Sequence, residues 1–272
     1  PTLYLVPTPI GNLEEMTPRA IEILRSADVI AAEDTRNTMK LLQVFDIHTR
    51  MIAHHSHNER ESAKGLLNLL EQGQSVAVVS DAGYPLISDP GQNIVEQVTA
   101  AGYNVVPVSG CSASLNALVA SGLKAQPFLF KGFLSSNDRE CVKELEGLKA
   151  LPFTLIFYEA PHRIERMLGH CLEVLGDRKA CLAREITKRH EEFLRGTLSE
   201  IKEAAAGLKG EMVVVIEGCA EESEPVIDMA LITEQINERI QSGMSATDAI
   251  KQIAKEYGVS KNEIYRAYYQ ES

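Results

Sequence analysis

Short apolar runs rich in Val, Ile and Ala alternate with amphipathic stretches through the first hundred residues, and this alternation constrains the fold more than any other feature. Leu3 to Val6, Val29 to Ala32, Val76 to Ser80 and Val105 to Val108 read as buried strands. Between them, Pro18 to Ser26, Thr38 to Phe45, Arg60 to Gln72 and Gln92 to Ala101 carry apolar residues at three- and four-residue spacing, as helices packed on a sheet require. The alternation predicts an α/β fold with a largely parallel sheet.

A second cycle follows the small-residue stretch Ser109 to Gly122. Strands are expected at Phe128 to Gly132, Phe153 to Tyr158, Ala180 to Ala183 and Met212 to Ile216, with helices at Pro161 to Leu175 and Leu198 to Leu208. Glu192 to Thr197 can add an antiparallel strand and make this sheet mixed. After the acidic, linker-like Glu221, Glu222, Glu224 and Pro225, the pattern is purely helical. Ser245 with Asp248 and Ser260 with Glu263 read as helix starts, and Gly243 and Gly258 as helix stops, giving three short helices. Asp248 to Tyr268 fits a helix-turn-helix module or a plain helical hairpin. The expected organisation is two α/β domains, 1–111 and 112–220, and a small helical extension, 225–272.

Charge and cysteine usage limit the function. With 27 Lys and Arg against 38 Asp and Glu, the net charge is −11, so the molecule cannot coat nucleic acid as a polycation and any RNA contact must use a local basic surface. Cys111, Cys141, Cys171, Cys181 and Cys219 are spread out with no C-x-x-C pair, which argues against a disulfide framework and a cysteine zinc site. No run approaches the roughly 20 apolar residues of a membrane helix, and no signal-peptide pattern opens the chain, although Pro1 suggests a trimmed initiator Met. A cytoplasmic protein without membrane insertion is expected.

Ligands of open α/β sheets bind beyond the carboxyl ends of the strands, so the segments leaving each strand are the candidates. Pro7 to Leu13 (PTPIGNL) has a loop shape set by prolines and one glycine, short of a G-x-G-x-x-G motif. In Ala31 to Arg36 (AAEDTR), Asp34 or Thr35 suits a helix cap, leaving Glu33 and Arg36 as candidates for substrate contact. In Ser80 to Gly91 (SDAGYPLISDPG), Asp89 before Pro90 reads as a helix cap completed by Gln92. Asp81 instead follows the apolar strand directly, and its carboxylate can accept hydrogen bonds from ribose hydroxyls or an ammonium group. Thr154 to Arg163 (TLIFYEAPHR) places Glu159, His162 and Arg163 just past a strand, where they fit acid/base work, phosphate binding or an ordinary helix start. His54, His55 and His57 lack a complete metal-ligand set, so contact with nucleic acid or strand-end packing is expected there, and no metal. Arg184 to Arg195 mixes Arg184, Lys188, Arg189 and Arg195 with acids and fits a solvated face.

Taken in order, PTPIGNL, AAEDTR, SDAGYPLISDPG, VPVSGCSAS (Val106 to Ser114), FYEAPHR, AREITK (Ala183 to Lys188) and VIEG (Val215 to Gly218) resemble the ribosomal RNA small subunit methyltransferase I family of the tetrapyrrole methylase superfamily. GVSKNEIYRAY in the tail is similar to that family's C-terminal extension. The resemblance implies a homodimer of two-domain α/β chains that uses S-adenosylmethionine to methylate the ribose 2′-hydroxyl of a cytidine in the decoding region of 16S rRNA, on the small ribosomal subunit. It implies a cofactor cleft between domains lined by Pro9, Ser80, Asp81, Ala82, Gly83, Ile87, Ser112, Ala113, Tyr158 and Ala183. Two departures from the family pattern stand out. Ser109, Gly110 and Cys111 replace the usual Pro-Gly-Pro or Pro-Gly-Ala, and Tyr84 stands where Thr or another small residue is common.

For such a reaction Glu159 is expected to orient or deprotonate the 2′-hydroxyl, with Arg163 beside it and Arg36, His55 and Lys188 contacting RNA. A tetrapyrrole C-methyltransferase on the same scaffold is the nearest rival. A noncatalytic ribosome- or DNA-binding adaptor is the second.

Overall fold

The computed structural model describes residues 1–54, 59–88, 92–220, 229–257 and 260–270. Two compact units form, Pro1–Cys219 and Ala220–Ser272.

The first half of the larger unit is built on β1 (Thr2–Leu5), β2 (Val29–Ala32), β3 (Met51–Ala53), β4 (Val76–Val79) and β5 (Asn104–Pro107), in the order β3-β2-β4-β1-β5 and parallel throughout. Strands β2 and β4 are wholly buried, which explains why they read as unbroken apolar runs: both sheet faces are covered. Ile30, Ala32, Ala77 and Val79 pack beneath α1 (Pro18–Ser26) and α2 (Thr35–Val44). Ala31, Val76 and Val78 face α3 (Glu59–Glu71) and α4 (Gln92–Ala100). Helix α1 starts where Thr17 accepts the Ala20 N–H and Pro18 takes the first turn.

Helix α5 (Ala113–Ala120) leads into β6 (Phe128–Phe133), α6 (Asp138–Leu148), β7 (Thr154–Glu159), α7 (Ile164–Leu175), β8 (Lys179–Arg184), β9 (Glu192–Thr197), α8 (Leu198–Ala204) and β10 (Met212–Ile216). The second sheet has the order β6-β7-β10-β8-β9. Only β6 and β7 pair in parallel; β10 runs against both neighbours, and β9 runs against β8. The mixed character therefore exceeds the single antiparallel strand expected, because β10 as well as β9 is reversed.

The two faces of this sheet do different work. Leu155, Phe157, Leu182, Val214 and Ile216 pack outward under α6, α7 and α8. Ile156, Cys181, Ala183, Val213 and Val215 pack inward against Ala117 and Leu118 of α5 and against Ile10 and Cys111 of the first half. This inner cluster joins the halves.

Three local expectations change. The three-residue β3 and α6 are additional, the latter opened by Asn137, whose Oδ1 accepts the Arg139 and Glu140 N–H groups. Helix α7 begins at Ile164 rather than at Pro161, because β7 extends to Glu159 and the Arg163 N–H closes a turn on the Ala160 carbonyl at 2.9 Å. The expected cap at Asp89 lies outside the described residues.

In the smaller unit, α9 (Met229–Gln241), α10 (Ala246–Tyr257) and α11 (Lys261–Gln270) enclose Ile232, Ile236, Ala249, Ile250, Ile253 and Ile264. Ser245 starts α10 as expected: its hydroxyl accepts the Asp248 N–H at 3.2 Å and donates to the Asp248 carboxylate at 2.6 Å. Arg239 ties α9 to α10 through Glu256 at 2.7 Å.

Candidate active site

The loops leaving β1, β4, β5 and β8 converge, and their sequences explain how closely. Thr8 and Gly83 exchange both backbone hydrogen bonds at 3.0 Å, pinning PTPIGNL to SDAG. The Thr8 hydroxyl donates to the Ser80 carbonyl at 3.1 Å, and the Ser80 hydroxyl donates to the Gly83 carbonyl at 3.2 Å, so both buried hydroxyls are spent on loop shape. Gly83 has φ +79, a conformation glycine adopts without strain. Gly110 lies so close to the Pro7 ring that a Cβ there would collide with it.

Strained backbone concentrates in two of these loops. Leu86 and Ser88 flank Ile87 with φ of 74° and 64°, and Glu185 and Thr187 adopt φ of 52° and 67°. For non-glycine residues such angles persist only where the surroundings over-determine them, and they cluster at ligand sites. Loop 185–188 closes onto PTPIGNL: the Asn12 N–H donates to Thr187 Oγ1 at 3.1 Å, and the Lys188 stem covers Gly11.

The residues expected at a cofactor fall into two neighbouring groups. Pro9, Ser80 and Asp81 line a cavity of about 250 Å³ together with Gly11, Leu13, Asn37, Lys40 and Val44. Ala113, Tyr158 and Ala183 belong to the inner cluster with Ile10 and Cys111. The Tyr158 ring meets Phe130 and Phe133 edge-on at 4.9 and 5.7 Å. Ser112 caps α5 by accepting the Leu115 N–H at 3.4 Å. Ala82 is exposed beside Gly83, and Ile87 stands half in solvent. Asp81 is exposed, and its Oδ2 accepts a hydrogen bond from the Asn37 amide at 3.2 Å.

Glu159 is turned away from this place. Along β7 the side chains alternate, Leu155 and Phe157 outward and Ile156 and Tyr158 inward, and Glu159 continues the outward series. Its side chain is 0% exposed, with Oε1 3.2 Å from Arg163 Nε and accepting the Ala160 N–H at 2.8 Å. One Arg163 terminal nitrogen donates to the Leu134 and Ser135 carbonyls at 2.9 and 3.2 Å. The expected pairing of Glu159 and Arg163 forms, but behind the sheet and under α6. The Glu159 carboxylate thus lies on the face of β7 opposite Tyr158.

The expected RNA-contacting cations already have partners. Arg36 holds Asp34 through two hydrogen bonds, 3.2 and 3.0 Å, and that contact lowers the Asp34 carboxyl to about 2. Lys188 lies 2.8 Å from Glu211 and 3.1 Å from Glu185. Burial pulls the Lys188 ammonium down, yet its hydrogen bonds to Glu211 and Glu185 outweigh this and leave it raised. His55 lies outside the described residues, whereas His54 is buried at the end of β3 with Nδ1 against Ser62. Among the described residues no three His, Cys, Asp or Glu side chains gather as a metal site, and no helix is long and apolar enough to cross a membrane.

Asn37 and Lys40 are not among the residues that the sequence singles out. Their signal was position: both follow AAEDTR on the first turns of the helix leaving β2, where ligand-facing residues of α/β sheets concentrate.

Two parallel-to-mixed α/β halves with strained loops meeting at their junction define a class that the comparisons identify. A profile of the tetrapyrrole (corrin/porphyrin) methylases matches residues 2–202. Among solved structures, the methyltransferase CobJ superposes with a TM-score of 0.58 at 22% identity, over 80% of this chain and 94% of that one. The uroporphyrin-III C-methyltransferase of Thermus thermophilus, crystallised with S-adenyl homocysteine, gives 0.55 at 20% identity over 80% and 97%. The ribosomal RNA small subunit methyltransferase I of Bacillus subtilis (strain 168) is 47% identical across 98% of this chain and 94% of its own length. The chain therefore belongs to the tetrapyrrole methylases, and within them to the ribosomal RNA small subunit methyltransferase I family.

Proposed function

We propose that this protein transfers the methyl group of S-adenosylmethionine to the ribose 2′-hydroxyl of a cytidine in the decoding region of 16S rRNA, on the small ribosomal subunit. The observation that carries the proposal is where the similarity stops. The corrin and porphyrin enzymes match only about 80% of the chain and the family profile ends at residue 202, whereas the ribosomal RNA enzyme matches 98%, helical tail included.

The converging loops fit the cofactor. Asp81 offers an accessible carboxylate for an ammonium group or ribose hydroxyls, Tyr158, Ala183 and Ala113 an apolar wall for a purine, and the tightly bent 80–83 backbone a close approach. On this reading Pro9, Ser80, Asp81, Ala82, Gly83, Ile87, Ser112, Ala113, Tyr158 and Ala183 surround it between domains 1–111 and 112–220, in a cytoplasmic homodimer with a separate tail domain, 225–272.

The sulfonium supplies an activated methyl group, so the protein's task is to hold the ribose oxygen in line behind that carbon. The pre-paired Arg36 and Lys188 must exchange carboxylate for phosphate on binding RNA, which keeps nonspecific affinity low and makes a structured, preassembled target necessary. The test is methyl transfer from labelled S-adenosylmethionine to small subunits lacking native modifications, followed by nucleoside mass spectrometry. The expected product is 2′-O-methylcytidine. Cofactor binding without any transfer would refute the substrate and turn attention to tetrapyrroles.

A further inference from the structure

The cavity beside α2 shares Pro9, Ser80 and Asp81 with the residues proposed to surround the cofactor. Its volume of about 250 Å³ lies below the ~300–1000 Å³ of pockets that enclose drug-sized ligands and has room for a single nucleoside beside them. Its mouth is aliphatic: Leu13 and Val44 are 44% and 60% exposed, although both are large apolar side chains that a stacked base would cover.

The polar groups converge on one side. Ionised Asp81 can only accept, so the Asn37 amide must turn its nitrogen toward it, which fixes which way the amide points. One amide hydrogen is used in that contact. With Asp81 taking the hydrogen trans to the amide oxygen, the second hydrogen and the carbonyl oxygen form an adjacent donor and acceptor, the complement of the ring-nitrogen acceptor and exocyclic amino donor on the Watson–Crick edge of cytosine. Uracil presents a ring N–H donor flanked by two carbonyl acceptors, and so meets the same pair only after shifting by one position along its edge. Lys40 lies one turn further along the same face of α2, within reach of a phosphate, and among the described residues it has no ion-pair partner. Arg36 is held by Asp34 and does not line the cavity.

We propose that this cavity receives the target nucleotide, extruded from the RNA, and that Asn37, oriented by Asp81, reads its cytosine edge. This rests on the methyltransferase function proposed above and names the subsite and the residue that choose the base. A nucleotide extruded from its stack is read by hydrogen bonds to its Watson–Crick edge inside a fitted pocket.

The experiment compares wild type with Asn37→Ala, a substitution at an exposed position of α2. Cofactor affinity is measured by calorimetry, and methylation is measured on small subunits carrying cytidine or uridine at the target position. The expected result is cofactor affinity within about twofold of wild type, kcat/KM on the cytidine substrate lower by about ten- to a hundredfold, and loss of most of the preference for cytidine over uridine. A matching loss of cofactor affinity would assign the cavity to the cofactor and overturn the proposal. Retention of the cytidine preference by an active Asn37→Ala enzyme would also overturn it, leaving the enzymatic reading intact. Wild-type protein that binds cofactor but methylates neither subunit would refute the enzymatic reading, and this proposal with it.

Discussion

The Tyr84 hydroxyl accepts a hydrogen bond from the Gly110 backbone N–H at 3.0 Å, bracing the loop after β4 against the loop after β5. The two loops hold Tyr84 and Ser109-Gly110-Cys111, and this contact brings them together. A tyrosine in the first loop supplies the acceptor that the backbone of Ser109-Gly110-Cys111 needs.

Removing that acceptor should loosen these two loops without unfolding the protein. A single hydrogen bond contributes a net ~0.5–1.5 kcal/mol, so Tyr84→Phe is expected to raise the Kd for S-adenosylmethionine about two- to tenfold. Calorimetric titration checks this. An unchanged Kd would mean that the brace plays no part in cofactor binding.

Gly110 makes a steric prediction at the same junction. A methyl group there meets the Pro7 ring, so Gly110→Ala must displace either the β1 loop or the β5 loop, at a cost of ~1–3 kcal/mol. Thermal unfolding should show a lower midpoint, and cofactor affinity should fall with it. Gly147→Ala, where a Cβ meets nothing within 4 Å, serves as the control.

The Glu159–Arg163 pair should behave as structure and not as catalyst. Removing one partner of a buried ion pair costs ~3–5 kcal/mol, so Glu159→Ala should unfold at markedly lower denaturant concentration. Replacing both partners together, Glu159→Leu with Arg163→Met, should recover much of that loss because no buried charge is left alone. Methyl transfer per folded molecule should survive in the double variant. A folded but inactive double variant would return Glu159 to the chemistry.

Asp34 provides a pH test. Its carboxyl is lowered from 3.8 to about 2 by the hydrogen bonds from Arg36. A folded-state value below the unfolded one means that the Asp34–Arg36 contact favours the fold above the ordinary carboxylate range and is lost as pH falls toward 2. An NMR titration should place the Asp34 midpoint near 2, and Arg36→Ala should return it toward 3.8. The effect on stability should be slight, since the pair is exposed.

Much of the architecture was legible in the chain itself. Val29–Ala32, Met212–Ile216 and Glu192–Thr197 stand where their apolar or β-rich runs predict them, and α1 has the bounds, Pro18–Ser26, that its apolar spacing predicts. Strand β3 was not legible because three residues, Met51–Ala53, carry too short a pattern. It exists because β2 offers an open edge with parallel register to Ile30, Ala31 and Ala32. Likewise Asp81 could be singled out from its place after a buried strand, whereas Asn37 offered only its position on the first turns of α2, and its 3.2 Å contact with Asp81 spans 44 residues.

Local sequence thus determined the α/β class, most strand and helix positions, and which loops leave the carboxyl ends of the strands, since hydrophobic period and capping act over a few residues. Tertiary structure alone decided which way the side chains at those ends point. Strand β7 extends one residue further than its apolar run, and a period of two residues then sends Tyr158 inward and Glu159 outward. Only the pairing of β7 with β6 and β10, and the packing of α6 over one face, separates the inward-facing Tyr158 from the buried ion pair behind the sheet.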